Sequence, residues 1–187
     1  MKLTKLINIF GWSCLLAGSA LFFVPSDKPN EQLKVQATDP YAKGKLCLRE
    51  MLWYEARGTS EREMQAILDV ALNRYRSARY PDIICKVIKQ PYQFSYRNSL
   101  HESEEILPRF QDIVGKSDRE AYITIARIVE DRFNADEILD NRVLGYNVTH
   151  YHTKSIKRPY WARSKKFKEV TKGVDKGFKH RYYSYIG

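Results

Sequence analysis

The feature that most constrains the fold is an apolar stripe with helical spacing in the first half of the chain. The stripe recurs at intervals of three and four residues through Met64, Ile67, Leu68, Ala71, Leu72 and Tyr75. This period places one face of an α-helix against a core and the other face in solvent. Ser60 and Glu63 precede the stripe with the spacing of a capping box, so we expect the helix to begin after Ser60.

A second helix is predicted just upstream, where a carboxylate shares a face with leucines. Leu48, Leu52 and Glu55 are spaced at i, i+4 and i+7, and a glycine follows where the helix would end. Desolvation beside apolar side chains favours the protonated form of a carboxyl group, which makes Glu55 a candidate general acid. The alternative is an ordinary ion pair at a helix end, with Arg57 or Arg62 as the cation.

The remaining elements are predicted from capping patterns and composition. Ser117 and Glu120 form a second capping-box pattern before a third long helix that extends to Phe133, and residues 82–88 predict a short one. Residues 142–153 combine Gly and Asn with β-branched residues, which favours a strand or hairpin. With 43% apolar residues, the chain has enough apolar surface for a core. We therefore predict an α+β fold that is predominantly helical, with a small β element.

The amino-terminal segment indicates export. Lys2 and Lys5 precede an uncharged run over residues 6–24, which is close to the roughly 20 residues that a helix needs to cross a bilayer. The lysines on the short leading side place the rest of the chain outside the cytoplasm. We predict a signal anchor or transmembrane segment over residues 1–25, a linker over 26–44 and a folded domain over 45–187.

The net charge of +10 is concentrated at the carboxyl end of the chain. Residues 154–187 hold 11 basic and 2 acidic residues, whereas residues 28–153 hold 19 of each. A basic segment interleaved with aromatic rings predicts a polyanionic partner. Nucleic acid is disfavoured because the domain is exported. We expect an anionic wall polymer or anionic lipid instead, bound in a salt-sensitive manner.

His150 and His152 form a candidate zinc-binding pair. They are alternate residues of the predicted strand, so their side chains share one face. A zinc site needs a third ligand, and only His101 and His180 remain among the histidines. We favour the alternative, in which one or both are ordinary polar or aromatic packing residues. The chain has no nucleophile-elbow, P-loop or dinucleotide-binding glycine motif, so nucleotide chemistry has no support.

Several motifs, in order along the chain, resemble those of the SleB-type cell wall hydrolase family. They are LWYEARG at 52–58, QAILDVALNR at 65–74, YPDIICKVI at 80–88, QFSY at 93–96, THYHTKSIKRPYWA at 149–162 and GFKHRYY at 177–183. The resemblance covers residues 46–183, and its paired cysteines with THYH are similar to the branch found in Gram-negative bacteria and their phages. It implies a lysozyme-like catalytic domain in the periplasm, anchored in the inner membrane or released from it.

The resemblance also implies peptidoglycan as the substrate and Glu55, the glutamate of the EARG motif, as the catalytic acid. It places further substrate contacts at Arg57, Gln93, Phe94, Ser95, His150, Tyr151, His152 and Trp161. Family members often carry a second glutamate directly after this glycine, but this chain has Thr59 there, so only the first can be essential. His180 is a weaker candidate, because two residues rather than one separate it from Gly177. The resemblance implies no cofactor and no metal, and we expect a monomer.

The predicted reaction is cleavage of the glycosidic bond between N-acetylmuramic acid and N-acetylglucosamine. Glu55 would protonate the leaving oxygen and then take the proton of the muramic 6-hydroxyl, which closes an anhydro ring without a second carboxylate. Attack by water would need a second carboxylate, and the sequence places neither Asp69 nor Asp82 to serve. We therefore favour a lytic transglycosylase over a muramidase. The alternatives are a zinc-dependent N-acetylmuramoyl-L-alanine amidase built on His150 and His152, or a non-catalytic wall-binding module.

The cysteines bear on compartment and release. Cys47 and Cys85 are the natural disulfide pair in an oxidising periplasm, with two buried free thiols as the alternative. Cys14 then remains in the membrane segment, either as apolar filler or as a partner in disulfide exchange. Because this segment is only weakly hydrophobic, a signal-anchor-release endolysin is a further hypothesis, in which the segment leaves the bilayer at a later stage.

Overall fold

The computed structural model describes residues 39–98, 106–134 and 137–187. Its helices are α1 (Ala42–Ala56), α2 (Glu61–Arg76), α3 (Ile84–Ile88) and α4 (Lys116–Glu130). A short antiparallel pair joins β1 (Phe133–Asn134) to β2 (Glu137–Ile138), and a three-stranded sheet combines β3 (Val148–Thr153), β4 (Phe167–Glu169) and β5 (His180–Tyr185). The described residues thus form an α+β fold in which helices predominate, as predicted.

Helix α2 begins where the sequence predicts, but its capping box is only half formed. Ser60 Oγ accepts a hydrogen bond from the backbone N–H of Glu63 at 3.3 Å. The reciprocal half of the predicted box is wrong, because the buried Glu63 carboxylate bonds His180, near the carboxyl end of the chain. The residues of the predicted apolar stripe that are buried are Met64, Ile67, Leu68, Ala71 and Leu72.

The predicted start of the third long helix is wrong. Helix α4 begins at Lys116 with Gly115 as its N-cap residue, so Ser117 lies inside the first turn rather than before it. The carbonyl of Gly115 accepts a hydrogen bond from the Arg119 N–H at 3.0 Å, which starts the helical ladder two residues earlier than predicted. The helix also ends before Phe133, which belongs to β1.

Helix α1 begins at Ala42, inside the stretch predicted as linker. A disulfide joins Cys47 of this helix to Cys85 of α3, with Cα atoms 5.4 Å apart, so the predicted pairing is confirmed. Gly44 makes a close approach to the same helix, since a Cβ built there would lie 3.0 Å from the Ile84 side chain. The crosslink and the glycine together seat α3 against the first turns of α1.

The strand predicted within 142–153 is β3, and it starts at Val148. Its partner is not a neighbouring hairpin strand but β5, and the antiparallel order of the sheet is β3-β5-β4. Tyr151 stands opposite Tyr182 in this register. The β element was predicted, but the pairing of β3 with β5, a strand near the carboxyl end of the chain, was not.

Polar side chains of α2 fix the approach to β3. Asp69 is completely buried, pairs with Arg132 and accepts the backbone N–H of Leu144 at 2.9 Å. One turn later, Asn73 Nδ2 donates to the carbonyl of Val148 at 2.8 Å. Because buried polar groups need such partners, these bonds define where β3 starts relative to the helices.

Within the three described ranges, none of the helices has the length and apolar character needed to cross a membrane. The predicted anchor over residues 1–25, most of the predicted linker and Cys14 lie outside the described residues.

Candidate active site

Glu55 lies in the last turn of α1, at the border between the core and the surface. Leu48, Met51 and Leu52 of the same helix are completely buried, whereas Glu55 is partly exposed. The helix therefore buries its apolar side chains and leaves the carboxylate within reach of a ligand. Charges at such a border interact more strongly than they would in bulk water.

Two hydroxyl groups from distant segments donate to the Glu55 carboxylate. Tyr151 OH, on β3, donates to Oε2 at 2.9 Å. Ser95 Oγ lies 3.4 Å from Oε1 and comes from the 3-10 helix Ser95–Arg97, so this second bond is long and weaker. The structure thereby brings together three of the residues that the family resemblance indicated.

Tyr151 is held at both ends of its side chain. Its ring stands edge-on to the His180 ring, with centroids 5.3 Å apart, and also contacts Tyr182. Burial and the charge of Glu55 raise the pKa of Tyr151 well above its usual value of 10. The phenol therefore keeps its proton at physiological pH and acts as a hydrogen-bond donor to Glu55.

Arg74 is a site residue that the sequence analysis missed. Its guanidinium is buried, donates from Nε to the Thr149 carbonyl at 2.7 Å and lies 5.2 Å from the ring centroid of Phe94. Burial lowers the pKa of Arg74, and the charge of Glu55 opposes that shift. A positive charge is thus fixed beneath the site, within electrostatic range of Glu55. The feature of the sequence that could have indicated this role is the position of Arg74, a cation between Ala71 and Tyr75 on the apolar face of α2.

The other predicted contacts near Glu55 have different surroundings. Phe94 is only 1% exposed, so it supports the site from below, while Gln93 is half-buried. Arg57 turns away toward the start of α4, because its guanidinium lies over the Trp53 ring at 5.1 Å and 3.8 Å from Asp118. The predicted alternative in which Arg57 forms an ion pair with Glu55 is not seen.

His150, His152 and Trp161 form a separate aromatic cluster. The His150 ring packs edge-on against Phe167, with centroids 4.5 Å apart, and both histidines contact Trp161. His152 also stacks on Tyr183 of β5. Because successive strand residues point to opposite faces, this aromatic cluster lies on the face of the sheet opposite to Tyr151. Of residues 150–152, the HYH segment, Tyr151 therefore contacts Glu55, whereas His150 and His152 lie on the other face of the sheet.

The contacts of the two histidines fit packing better than zinc binding. Burial is the main cause that lowers the pKa of His150, to about 4, so its ring is neutral at neutral pH. His152 Nδ1 donates to the Thr153 carbonyl at 2.8 Å, which leaves Nε2 to accept from Tyr183 OH at 3.0 Å. In the described part of the chain, no three His, Cys, Asp or Glu side chains cluster as metal ligands, and His101 lies outside that part.

Glu63 and His180 form a buried pair next to Tyr151. One oxygen of Glu63 accepts both the backbone N–H of His180 at 2.8 Å and its Nδ1–H at 2.9 Å. The pair joins the start of α2 to the start of β5 and holds the His180 ring against Tyr151. The spacing of Ser60 and Glu63 predicted a capping box and gave no indication of this role.

Two further carboxylates near the core are also committed to partners. Glu50 is buried with Arg97 at 3.2 Å and also accepts from Tyr96 OH at 3.2 Å. Asp69 is occupied by Arg132 and the loop before β3. Among the described residues, the carboxylates at the core are therefore in structural pairs, in contrast to the partly exposed Glu55.

The fold and the site define an α+β domain that presents one partly exposed glutamate at the end of a core helix. Residues 58–178 match the family described as cell wall hydrolase, and the chain belongs to this family. Membership makes it a cell wall hydrolase with peptidoglycan as substrate. The matched span begins at Gly58, just after Glu55. No curated protein and no solved structure shows significant similarity to the chain.

Proposed function

We propose that this cell wall hydrolase is a lytic transglycosylase with a lysozyme-like catalytic domain, in which Glu55 is first the general acid and then the general base. Protonated Glu55 donates its proton to the glycosidic oxygen between N-acetylmuramic acid and N-acetylglucosamine, and the bond to the muramic C1 breaks. The resulting carboxylate then accepts the proton of the muramic 6-hydroxyl. That oxygen attacks C1 and closes the 1,6-anhydro ring.

The observation that carries the proposal is the hydrogen bond that Tyr151 donates to one of the two carboxylate oxygens of Glu55. A tyrosine donor at 2.9 Å from Oε2 stabilises the carboxylate form after the proton has left. Among the described residues, Oε1 has only the long contact with Ser95, so it is the oxygen better placed to exchange a proton with substrate. The Arg74 charge beneath the site adds stabilisation when Glu55 is negative.

The state of the neighbouring carboxylates supports the transglycosylase outcome. Water attack requires a second carboxylate across the sugar. In the described ranges, Glu50, Glu63 and Asp69 are buried in their own pairs. An attack by the muramic 6-hydroxyl needs only one carboxylate, and Glu55, which is partly exposed, can serve as that group.

The test of the outcome is mass analysis of the released muropeptides from purified peptidoglycan. The proposal predicts products that end in 1,6-anhydro-N-acetylmuramic acid. Products with hydrated reducing ends and no anhydro sugar would show a muramidase instead. Release of free stem peptides with intact glycan chains would show an amidase.

We also propose that the basic carboxyl-terminal region holds the enzyme on anionic wall polymer or lipid. This basic surface consists of exposed cations beside the aromatic cluster, namely Lys154, Lys157, Arg158, Arg163, Lys165, Lys166 and Lys168. Tyr160, which is 81% exposed, lies among them. Adsorption to isolated cell walls should weaken steeply as salt is raised, because such contacts are screened. Adsorption that is unchanged at high salt would contradict this part of the proposal.

We place the domain in the periplasm, tethered or released by the segment over residues 1–25. The Cys47–Cys85 disulfide supports an oxidising compartment, and the substrate lies there. Fractionation of cells before and after membrane depolarisation tests the tether and its release. A chain found only in the cytosolic fraction would contradict the placement.

A further inference from the structure

We propose that a basic pocket beside the Glu55 site binds the carboxylates of the peptidoglycan stem peptide. The pocket has a volume of about 380 Å³ and opens between the end of α3 and the segment that carries Ser95. Its lining includes Lys86, Lys89, Gln90, Tyr92, Arg97 and Asn98. The inference rests on the proposed function, because it takes peptidoglycan strands as the ligand.

The charge of the pocket calls for an anionic ligand. Lys86, Lys89 and Arg97 supply three cations, and none of the described lining residues is acidic. Arg97 is already paired with Glu50 at 3.2 Å. The ion pairs within the described ranges include neither lysine, so no described carboxylate neutralises these two positive charges. A ligand with carboxylates would neutralise them.

The uncharged lining fits a peptide. The amide side chains of Gln90 and Asn98 each offer a donor and an acceptor, as a peptide backbone requires. Tyr92 has a left-handed backbone with φ of 63°, and the residue is 87% exposed. A residue of this type adopts that conformation at a cost, and such strain is concentrated where ligands are bound. The backbone thus presents the Tyr92 ring at the rim as an apolar surface.

The position of the pocket relative to Glu55 matches the chemistry of the substrate. Tyr92 and Arg97 line the pocket, and Ser95, which contacts Glu55, lies between them in the chain. Three residues of extended chain span at most about 10 Å, so the pocket adjoins the site. In peptidoglycan the stem peptide branches from the muramic acid whose glycosidic bond is cut. A strand with its bond at Glu55 would therefore carry its stem, with the free carboxylates of that peptide, toward this pocket.

The test measures binding of a soluble stem tetrapeptide by calorimetry. The Lys86→Ala/Lys89→Ala double variant should bind it about tenfold more weakly, since each exposed ion pair changes affinity by about a few-fold. The Arg109→Ala/Lys116→Ala variant loses two exposed charges that lie outside the pocket and outside the basic surface, and it should bind as the unmodified protein does. A peptide with amidated carboxylates should bind weakly and equally to all three proteins. Unchanged affinity in the pocket variant, or an equal loss in the control, would overturn the proposal.

A second readout separates this inference from the proposed function. On soluble glycan chains that carry stem peptides, the pocket variant should lose about tenfold in kcat/KM, while chains stripped of their peptides should be cut at the unmodified rate. An equal loss on both substrates would overturn the pocket. If the unmodified protein binds the peptide but cuts neither glycan, the pocket stands and the proposed function fails.

Discussion

Tyr151 OH donates a hydrogen bond to Glu55 Oε2 at 2.9 Å, and this bond joins the end of α1 to the middle of β3. The two residues are 96 positions apart in the chain. Their contact exists only because α2 fixes the start of β3 and because β5 supports the Tyr151 ring from the side. The orientation of Glu55 therefore depends on the tertiary fold and not on α1 alone.

Replacement of Tyr151 by phenylalanine should slow catalysis while leaving the fold intact. A hydrogen bond to a charged group contributes about 1.5 to 3 kcal/mol, so Tyr151→Phe should lower kcat by about 10- to 100-fold. Because the Tyr151 hydroxyl is bonded to Glu55, we expect its loss to act on kcat and to change KM little. Steady-state kinetics on soluble glycan chains and a thermal melt measure the two effects.

The matched control for this variant is Tyr160→Phe, which removes a hydroxyl from an exposed ring on the basic surface. It should leave kcat unchanged. A similar kcat for Tyr151→Phe and the unmodified protein would contradict the positioning role, and a rise in KM alone would assign Tyr151 to substrate binding.

The partly buried imidazole of His150 should make stability fall in mild acid. Burial lowers the pKa of His150 from 6.5 to about 4, with the charges of Arg74 and Arg79 acting in the same direction. Between these two values the unfolded chain binds more protons than the folded one, so the free energy of unfolding decreases as the pH falls. We expect a loss of about 1 to 2 kcal/mol across this window, discounted because the ring is partly exposed.

His150→Phe should remove part of this pH dependence, since phenylalanine can pack against Trp161 and Phe167 without a charge. Urea unfolding at about pH 7 and about pH 4 spans the window between the two pKa values. The remaining slope would come from His152, whose pKa burial also lowers, and from carboxylates. An identical slope in the variant and the unmodified protein would show that His150 does not contribute.

The disulfide should stabilise the domain without affecting the chemistry. Cys47 and Cys85 enclose a loop of 38 residues, for which loop-closure entropy gives about 4 kcal/mol. The crosslink lies at the opposite end of α1 from Glu55, so the Cys47→Ser/Cys85→Ser variant should keep its kcat at temperatures where it is folded. Denaturant unfolding with and without reductant measures the stability. A reduced protein as stable as the oxidised one would contradict this estimate.

Loss of the Glu63 charge should destabilise the protein. Glu63→Gln replaces a buried carboxylate oxygen that serves two donors of His180 by a neutral amide oxygen, and these two weaker hydrogen bonds should cost about 1 to 3 kcal/mol in total. Glu61→Gln, an exposed neighbour whose partner is Arg127, is the control and should cost less than about 1 kcal/mol. Equal melting temperatures for the two variants would show that the Glu63 pair is not structural.

Local patterns in the sequence predicted the helical part of the fold. The stripe along α2 is buried as expected. A helical period depends only on residues in neighbouring turns, so the local sequence is sufficient to predict it. The start of α4 was predicted wrongly. Ser117 is a residue type that often caps helices, but Gly115 is the N-cap residue, because its carbonyl accepts the first hydrogen bond of the helix.

The parts that sequence reasoning missed depend on contacts between distant segments. The pairing of β3 with β5 joins residues about 30 positions apart, and neither strand shows which partner it takes. Arg74 lies on an apolar stripe, where its charge gave no indication that it lies beneath Glu55. The HYH segment was predicted to line the site with all three side chains. Successive side chains of a strand point to opposite faces, so Tyr151 contacts Glu55 while the histidines lie on the other face.

The most direct test of the account is the activity of Glu55→Gln on purified peptidoglycan. Glutamine keeps the shape of the side chain but has no acidic proton to transfer to the leaving oxygen, and a general acid contributes about 10²- to 10⁴-fold to the rate. We predict a loss of kcat in this range with an unchanged melting temperature, while Glu61→Gln cuts at the unmodified rate. Cleavage by Glu55→Gln within a few-fold of the unmodified protein would contradict the assignment of Glu55.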